Sequence, residues 1–136
     1  MSTKIKSVSA ITARIVLGLI YFVFGLNFFF HFIPMPPSAG SASDAFMGGL
    51  FQSGYFFPML KSMEVVLGAL LLAGIFVPLA LVILMPISIN ILLFHAFLTP
   101  GNTLMGIVIV LLHIYLAWSY RDYYKPLFAP KTSVTL

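Results

Sequence analysis

The sequence predicts an all-α membrane protein, a transmembrane up-down-up-down four-helix bundle with a short interfacial segment in its first outer loop. The 136-residue chain is 61% hydrophobic and only 7% charged. A soluble domain carries about 25% charged residues, so this composition cannot build a water-facing surface. The apolar residues gather in four runs, about 10–33, 57–76, 79–98 and 104–120, each near the ~20 residues that cross a ~30 Å hydrocarbon layer. The last two breaks are short and contain proline, which makes successive helices antiparallel neighbours. A single membrane domain accommodates all four.

The first run, Ala10–Ile33, stops at Pro34-Met-Pro36-Pro37, where missing amide hydrogens and ring clashes end a helix. Lys4 and Lys6 before it and the small residues after it have the outline of a signal peptide. A secretory core is ~7–15 residues, however, shorter than Ile15–Ile33, so the run is expected to remain as the first spanning helix. Ser38–Gly54 is the sizeable loop. Within it Ser43 and Asp44 can cap a short helix over Ala45–Phe51, with Phe46, Met47, Leu50 and Phe51 on its oily side. That segment reads either as a lid or as an ordered loop without a gating role. Pro58 suits the first turn of the second helix.

Phe76-Val77-Pro78 and Thr99-Pro-Gly-Asn-Thr103 form the two tight turns, and Pro86 is expected to kink the third helix and free a carbonyl near mid-membrane. Trp118, Tyr120, Tyr123 and Tyr124 supply an aromatic interfacial anchor after the fourth. Gly18, Gly25, Gly68 and Gly106 fall where small residues let membrane helices approach one another.

The net charge of +4 is distributed as topology. Lys4, Lys6 and Arg14 flank the first run, and Arg121, Lys125 and Lys131 follow the fourth. Basic flanks mark the cytoplasmic side, and an even number of crossings puts both termini there. The lipid bilayer is therefore the expected partner, and nucleic acid is not. With no cysteine, the chain itself has no thiolate metal site, iron–sulfur cluster or dithiol relay.

Apart from Arg14, seven strongly polar residues interrupt the runs: Asn27, His31, Lys61, Glu64, Asn90, His95 and His113. Polar groups cost free energy in hydrocarbon, so they are the candidate ligand-binding residues. At ~1.5 Å per residue, Asn27 and Glu64 lie roughly 9 Å below the outer end of their helices and Asn90 ~12 Å. His31, Lys61 and His95 lie near the mouth, and His113 sits near the midplane. Asn27 and His31 share a helical stripe, and Lys61 and Glu64 can pair three residues apart. Asn90 and His95 are five apart, so a regular helix cannot aim both in one direction. A Glu–Lys pair can hold a ligand or simply fix helix register.

Haem is disfavoured as a cofactor, because His31 and His95 are too shallow for a buried porphyrin and His113 has no partner histidine at its level. No metal-ligand spacing is present. A quinone remains the cofactor that this mixture of phenylalanines and polar groups would suit.

Several stretches together resemble a DoxX-family membrane protein: Arg14-Ile-Val-Leu-Gly-Leu-Ile, Gly25–Pro37, Glu64 with Gly68, Leu71, Leu72 and Gly74, Asn90-Ile-Leu-Leu-Phe-His95, and Ala117-Trp-Ser-Tyr-Arg-Asp122. The likeness covers about residues 10–126. It implies a bacterial inner-membrane protein associated with quinone-linked redox complexes, with Arg14, Glu64, Asn90 and His95 as characteristic positions. Its partners would be redox-complex subunits or further copies of the chain. Any enzymatic role would be that of an oxidoreductase subunit acting with partners.

Two functions follow as expectations. In one, the chain binds a quinone or related hydrophobic ligand in an outer-half polar cavity. In the other, it is a non-enzymatic membrane scaffold or assembly factor whose polar cluster is structural. A solute transporter fits less well, since the sequence has neither repeats nor broken helices.

Overall fold

The computed structural model describes residues 3–35 and 40–135. Pro36, Pro37 and Ser38, part of the expected helix stop and outer loop, lie outside the described residues. The described residues form five α-helices: α1 (Thr3–Phe30), α2 (Ser41–Gln52), α3 (Phe56–Ala73), α4 (Val77–Phe97) and α5 (Thr103–Ser119). Four helical stretches are long and apolar enough to cross a membrane, with α2 as the exception. Large apolar side chains such as Ile11, Leu19, Leu79, Leu104 and Leu111 stand exposed along them. An apolar surface of that extent requires lipid around it, as in a multi-pass membrane protein.

The ends of the helices follow from local chemistry. Helix α1 starts at Thr3 rather than Ala10, because Lys4, Lys6, Ser7 and Ser9 extend it beyond its apolar run. It also ends earlier than expected, at Phe30, three residues short of Ile33. His31 takes a left-handed conformation at φ 52°, and its amide donates to the Asn27 carbonyl at 2.8 Å. Histidine is among the few non-glycine residues enriched there.

Helix α3 ends in a Schellman turn. Gly74 is left-handed, its amide donates to Leu71 O at 3.3 Å, and the Ile75 amide donates to Leu70 O at 3.2 Å. Phe76 at φ 51° then starts α4, with Pro78 in its first turn, where no amide hydrogen is needed. Helix α2 begins before the expected Ala45. It starts at Ser41, and the Ser43 hydroxyl donates back to Gly40 O at 2.8 Å instead of capping.

Packing divides the helices into two close pairs, α1 with α3 and α4 with α5, joined by lighter contacts of α1 with α5 and α3 with α4. Gly68 makes the α1–α3 seam: a Cβ there would lie 2.7 Å from the Phe22 amide nitrogen. Gly25 meets Val65 and Gly18 meets Leu71 and Leu72, so positions rising along α1 fall along α3 and the two run antiparallel. Between α4 and α5, Gly106 sits against Leu92 in the same manner. The buried core is almost wholly aliphatic, built around Leu17, Leu71, Leu81, Leu84, Ile109 and Leu116.

Candidate functional site

A cavity of about 530 Å³ opens where the two helix pairs meet, toward the end that carries α2 and the α4–α5 turn. Its walls are mainly apolar. Phe24 comes from α1, Phe56 and Phe57 from α3, Ile91 and Phe94 from α4, and Met105 and Ile109 from α5. Helix α2 closes one side with Phe46, Met47 and Leu50, and the Phe46 ring rests 5.8 Å from that of Phe94. The short helix is thus part of the chamber wall.

Four of the seven candidate residues line this space: Lys61, Glu64, Asn90 and His95. The Lys61 Nζ donates to Glu64 Oε2 at 2.9 Å, one helical turn away. Glu64 is buried at 3% exposure, and the Lys61 amine lies outward of it. An ion pair in such surroundings holds its shape only while both partners remain, because either charge alone would be left poorly solvated. His95 Nδ1 is bonded to Thr99 Oγ1 at 2.8 Å, and Thr103 Oγ1 donates to His95 O at 3.3 Å, which fixes the end of α4. Asn90 lines the chamber from an exposed position on the same helix. The chamber is broad enough that Asn90 and His95 both border it despite their five-residue spacing.

The other three candidates have different places. Asn27 is buried at 3% exposure and grips the backbone just beyond α1. Its Oδ1 accepts from the Ile33 amide at 2.6 Å, and its Nδ2 donates to Ile33 O at 3.2 Å. That clasp places Ile33, Pro34 and Met35 in the chamber wall, so Asn27 shapes the site without lining it. His31 is exposed outside the helix, so the expected Asn27–His31 stripe does not form.

His113 is fully buried in a second polar group. Its Nε2 donates to the Leu81 carbonyl at 2.8 Å, leaving Nδ1 of the neutral ring to accept from Ser88 Oγ at 2.7 Å. Ser88 in turn is hydrogen-bonded to the Tyr21 hydroxyl. This chain connects α1, α4 and α5. Leu81 precedes Val82, whose carbonyl lacks its usual i+4 amide because Pro86 has no N–H. The sequence does offer a signal for Ser88: it falls on the stripe of Leu81 and Leu84, a lone hydroxyl at helical spacing in an aliphatic face. Tyr21 is likewise the one tyrosine in the apolar part of α1.

At the opposite end Arg14 lies against Gly74, with its guanidinium 2.7 Å from where a Cβ would stand, and its Nε has no partner among the described residues. Arg121 stacks over the Trp118 ring at 4.4 Å, in the aromatic region expected there. Beyond the helices, the Lys125–Asp122 hydrogen bond holds the exposed Asp122 carboxyl below the usual carboxylate range, while burial pushes the Tyr124 phenol up. Among the described residues no group of three His, Asp or Glu side chains is arranged to hold a metal ion.

The chamber can hold an apolar molecule and meet its polar end with an amide, an imidazole and a carboxylate–ammonium pair. No family model, curated protein or solved structure matches this chain.

Proposed function

We propose that the protein is a DoxX-like subunit of a quinone-linked redox complex, binding a quinone or another hydrophobic ligand with polar oxygens in the outer-half chamber. The observation that carries this reading is the part-buried Lys61–Glu64 pair bordering an aromatic-walled cavity of about 530 Å³. Ligand sites are typically concave, mostly apolar, and furnished with a few convergent polar groups, with volumes of about 300–1,000 Å³. Asn90 donates to a ligand carbonyl, His95 and Glu64 exchange protons with it, and Phe24, Phe57 and Phe94 flank its ring. Histidine suits proton exchange near neutrality.

The spanning helices form an up-down-up-down bundle in a bacterial inner membrane. The basic residues at the start of α1 and after α5 support cytoplasmic termini, with the chamber opening toward the other side. Redox-complex subunits or further copies of the chain are the partners.

Purified protein in detergent, titrated with ubiquinone and menaquinone analogues, tests the reading. The wild type should bind at least one class saturably, and the Glu64→Gln, His95→Ala double variant should bind it about tenfold more weakly, the effect of losing one good polar contact. Equal binding by the two proteins overturns the proposal. A scaffold or assembly role is favoured by a different observation: Asn27 and His113 spend their hydrogen bonds inside the protein. Under that role the double variant loses stability or partner recovery, with no ligand dependence.

A further inference from the structure

We propose that Tyr21, Ser88 and His113 form a proton path through the middle of the protein, joining the large chamber to a second cavity on the side of the chain termini. That second cavity, about 370 Å³, is bounded by Met85, Pro86, His113, Ala117, Tyr124 and Phe128 among others. Tyr21 borders the large chamber and His113 the small one, while Pro86 belongs to both walls. The three linking side chains are at most 2% exposed. The barrier between the two spaces is therefore crossed by a continuous row of hydrogen bonds in a core that is otherwise aliphatic.

The row has a direction. The Leu81 carbonyl can only accept, so it holds the hydrogen on His113 Nε2 and turns Nδ1 into the acceptor. Ser88 then donates to Nδ1, and Tyr21 donates to Ser88. A proton delivered to the Tyr21 oxygen by water in the large chamber forms a new O–H bond as the tyrosine's own proton passes to Ser88. The serine's proton moves to Nδ1, breaking O–H and making N–H, and the ring becomes imidazolium. The imidazolium turns its Nδ1–H toward the small cavity and gives that proton to a water there, keeping the hydrogen on Nε2. One proton enters, one leaves, and no electron moves. The neutral ring then turns back, its Nε2–H to Leu81 and its bare Nδ1 to Ser88, and the two hydroxyls rotate to their first orientation.

Titratable neighbours are unequal at the two ends. Lys61, Glu64 and His95 border the large chamber with Tyr21, whereas among the described residues Tyr124 is the one titratable side chain besides His113 on the small cavity. Among the described residues no Asp, Glu, Lys or Arg borders the small cavity to hold the proton back. The path does not depend on which molecule fills the large chamber.

Full-length protein reconstituted into phosphatidylethanolamine–phosphatidylglycerol vesicles, with an entrapped pH dye and valinomycin to compensate charge, tests the path. Wild-type vesicles should equilibrate an imposed pH gradient faster than empty ones. Tyr21→Phe and Ser88→Ala should each slow that component about tenfold, as expected for one removed hydrogen-bonded step. Quinone-analogue binding by Ser88→Ala should stay within about twofold of wild type, so that loss of the path is distinguished from failure of the ligand-binding reading. Tyr21→Phe removes only an oxygen, and it decides the matter if Ser88→Ala does not fold. A wild-type rate equal to that of empty vesicles, or a folded Tyr21→Phe protein as fast as wild type, overturns the proposal.

Discussion

The two polar groups of this protein sit in the same apolar surroundings and are built on opposite principles. At His113 both ring nitrogens and the serine hydroxyl are engaged by other side chains or by backbone. At Glu64 one carboxylate oxygen is held by Lys61, and the rest of the cluster borders open space with bonding capacity to spare. A saturated network tightens a core and discriminates against alternative packings. An unsaturated one is costly unless something else completes it, which is why the chamber and not the His113 network is the ligand-site candidate. Polarity inside a membrane span is thus a poor guide until the partners of each group are counted.

The largest expected effect separates the two regions directly. Lys61→Met leaves the Glu64 carboxylate without its ammonium and should cost about 3–5 kcal/mol in denaturation measured in detergent. Adding Glu64→Leu should recover most of that loss, and no recovery would mean that the pair does not act as a unit. Next in size, Gly68→Leu drives a side chain into the α1 backbone at Phe22 and should cost about 1–3 kcal/mol, read from the same melts.

Ser88→Ala strands the Tyr21 hydroxyl and His113 Nδ1 and should cost about 2 kcal/mol. Asn27→Ala should cost a similar ~2 kcal/mol through the lost Ile33 clasp, and it should also make the segment after Phe30 more sensitive to protease. If Ser88→Ala proved as damaging as Lys61→Met, the contrast between saturated and unsaturated groups would fail.

The smallest effect lies outside the membrane. Asp122 is fully exposed, and Lys125 lowers its folded-state pKa, so the stabilisation is present above the ordinary carboxylate pKa and fades as pH falls through the lowered one. Asp122→Asn should leave the melting temperature at neutral pH unchanged within error, because exposed pairs contribute little.

Much of the architecture is legible in the residues. The apolar runs locate the spanning helices, because a ~30 Å hydrocarbon layer imposes a length that hydropathy reports. Hydropathy cannot report where a helix continues into water, so the polar start of α1 at Thr3 has no sequence signal in an apolar-run reading. The Lys61–Glu64 pair is legible because its geometry is local to one helix. Asn27 is not, since helix spacing alone puts it on a stripe with His31, whereas the chain leaves the helix at Phe30 and turns back onto the Asn27 amide. The link among Tyr21, Ser88 and His113 depends on how three helices are rotated against one another, and no spacing within a single helix encodes that.

The glycine seam between α1 and α3 has a consequence for traffic. With backbones this close at Gly68, α1 and α3 are packed as one slab, and α4 with α5 as another through Gly106. The looser join lies between the slabs, where the chamber opens. On the ligand-binding reading proposed above, that join is the side door through which a greasy guest would enter from the surrounding leaflet.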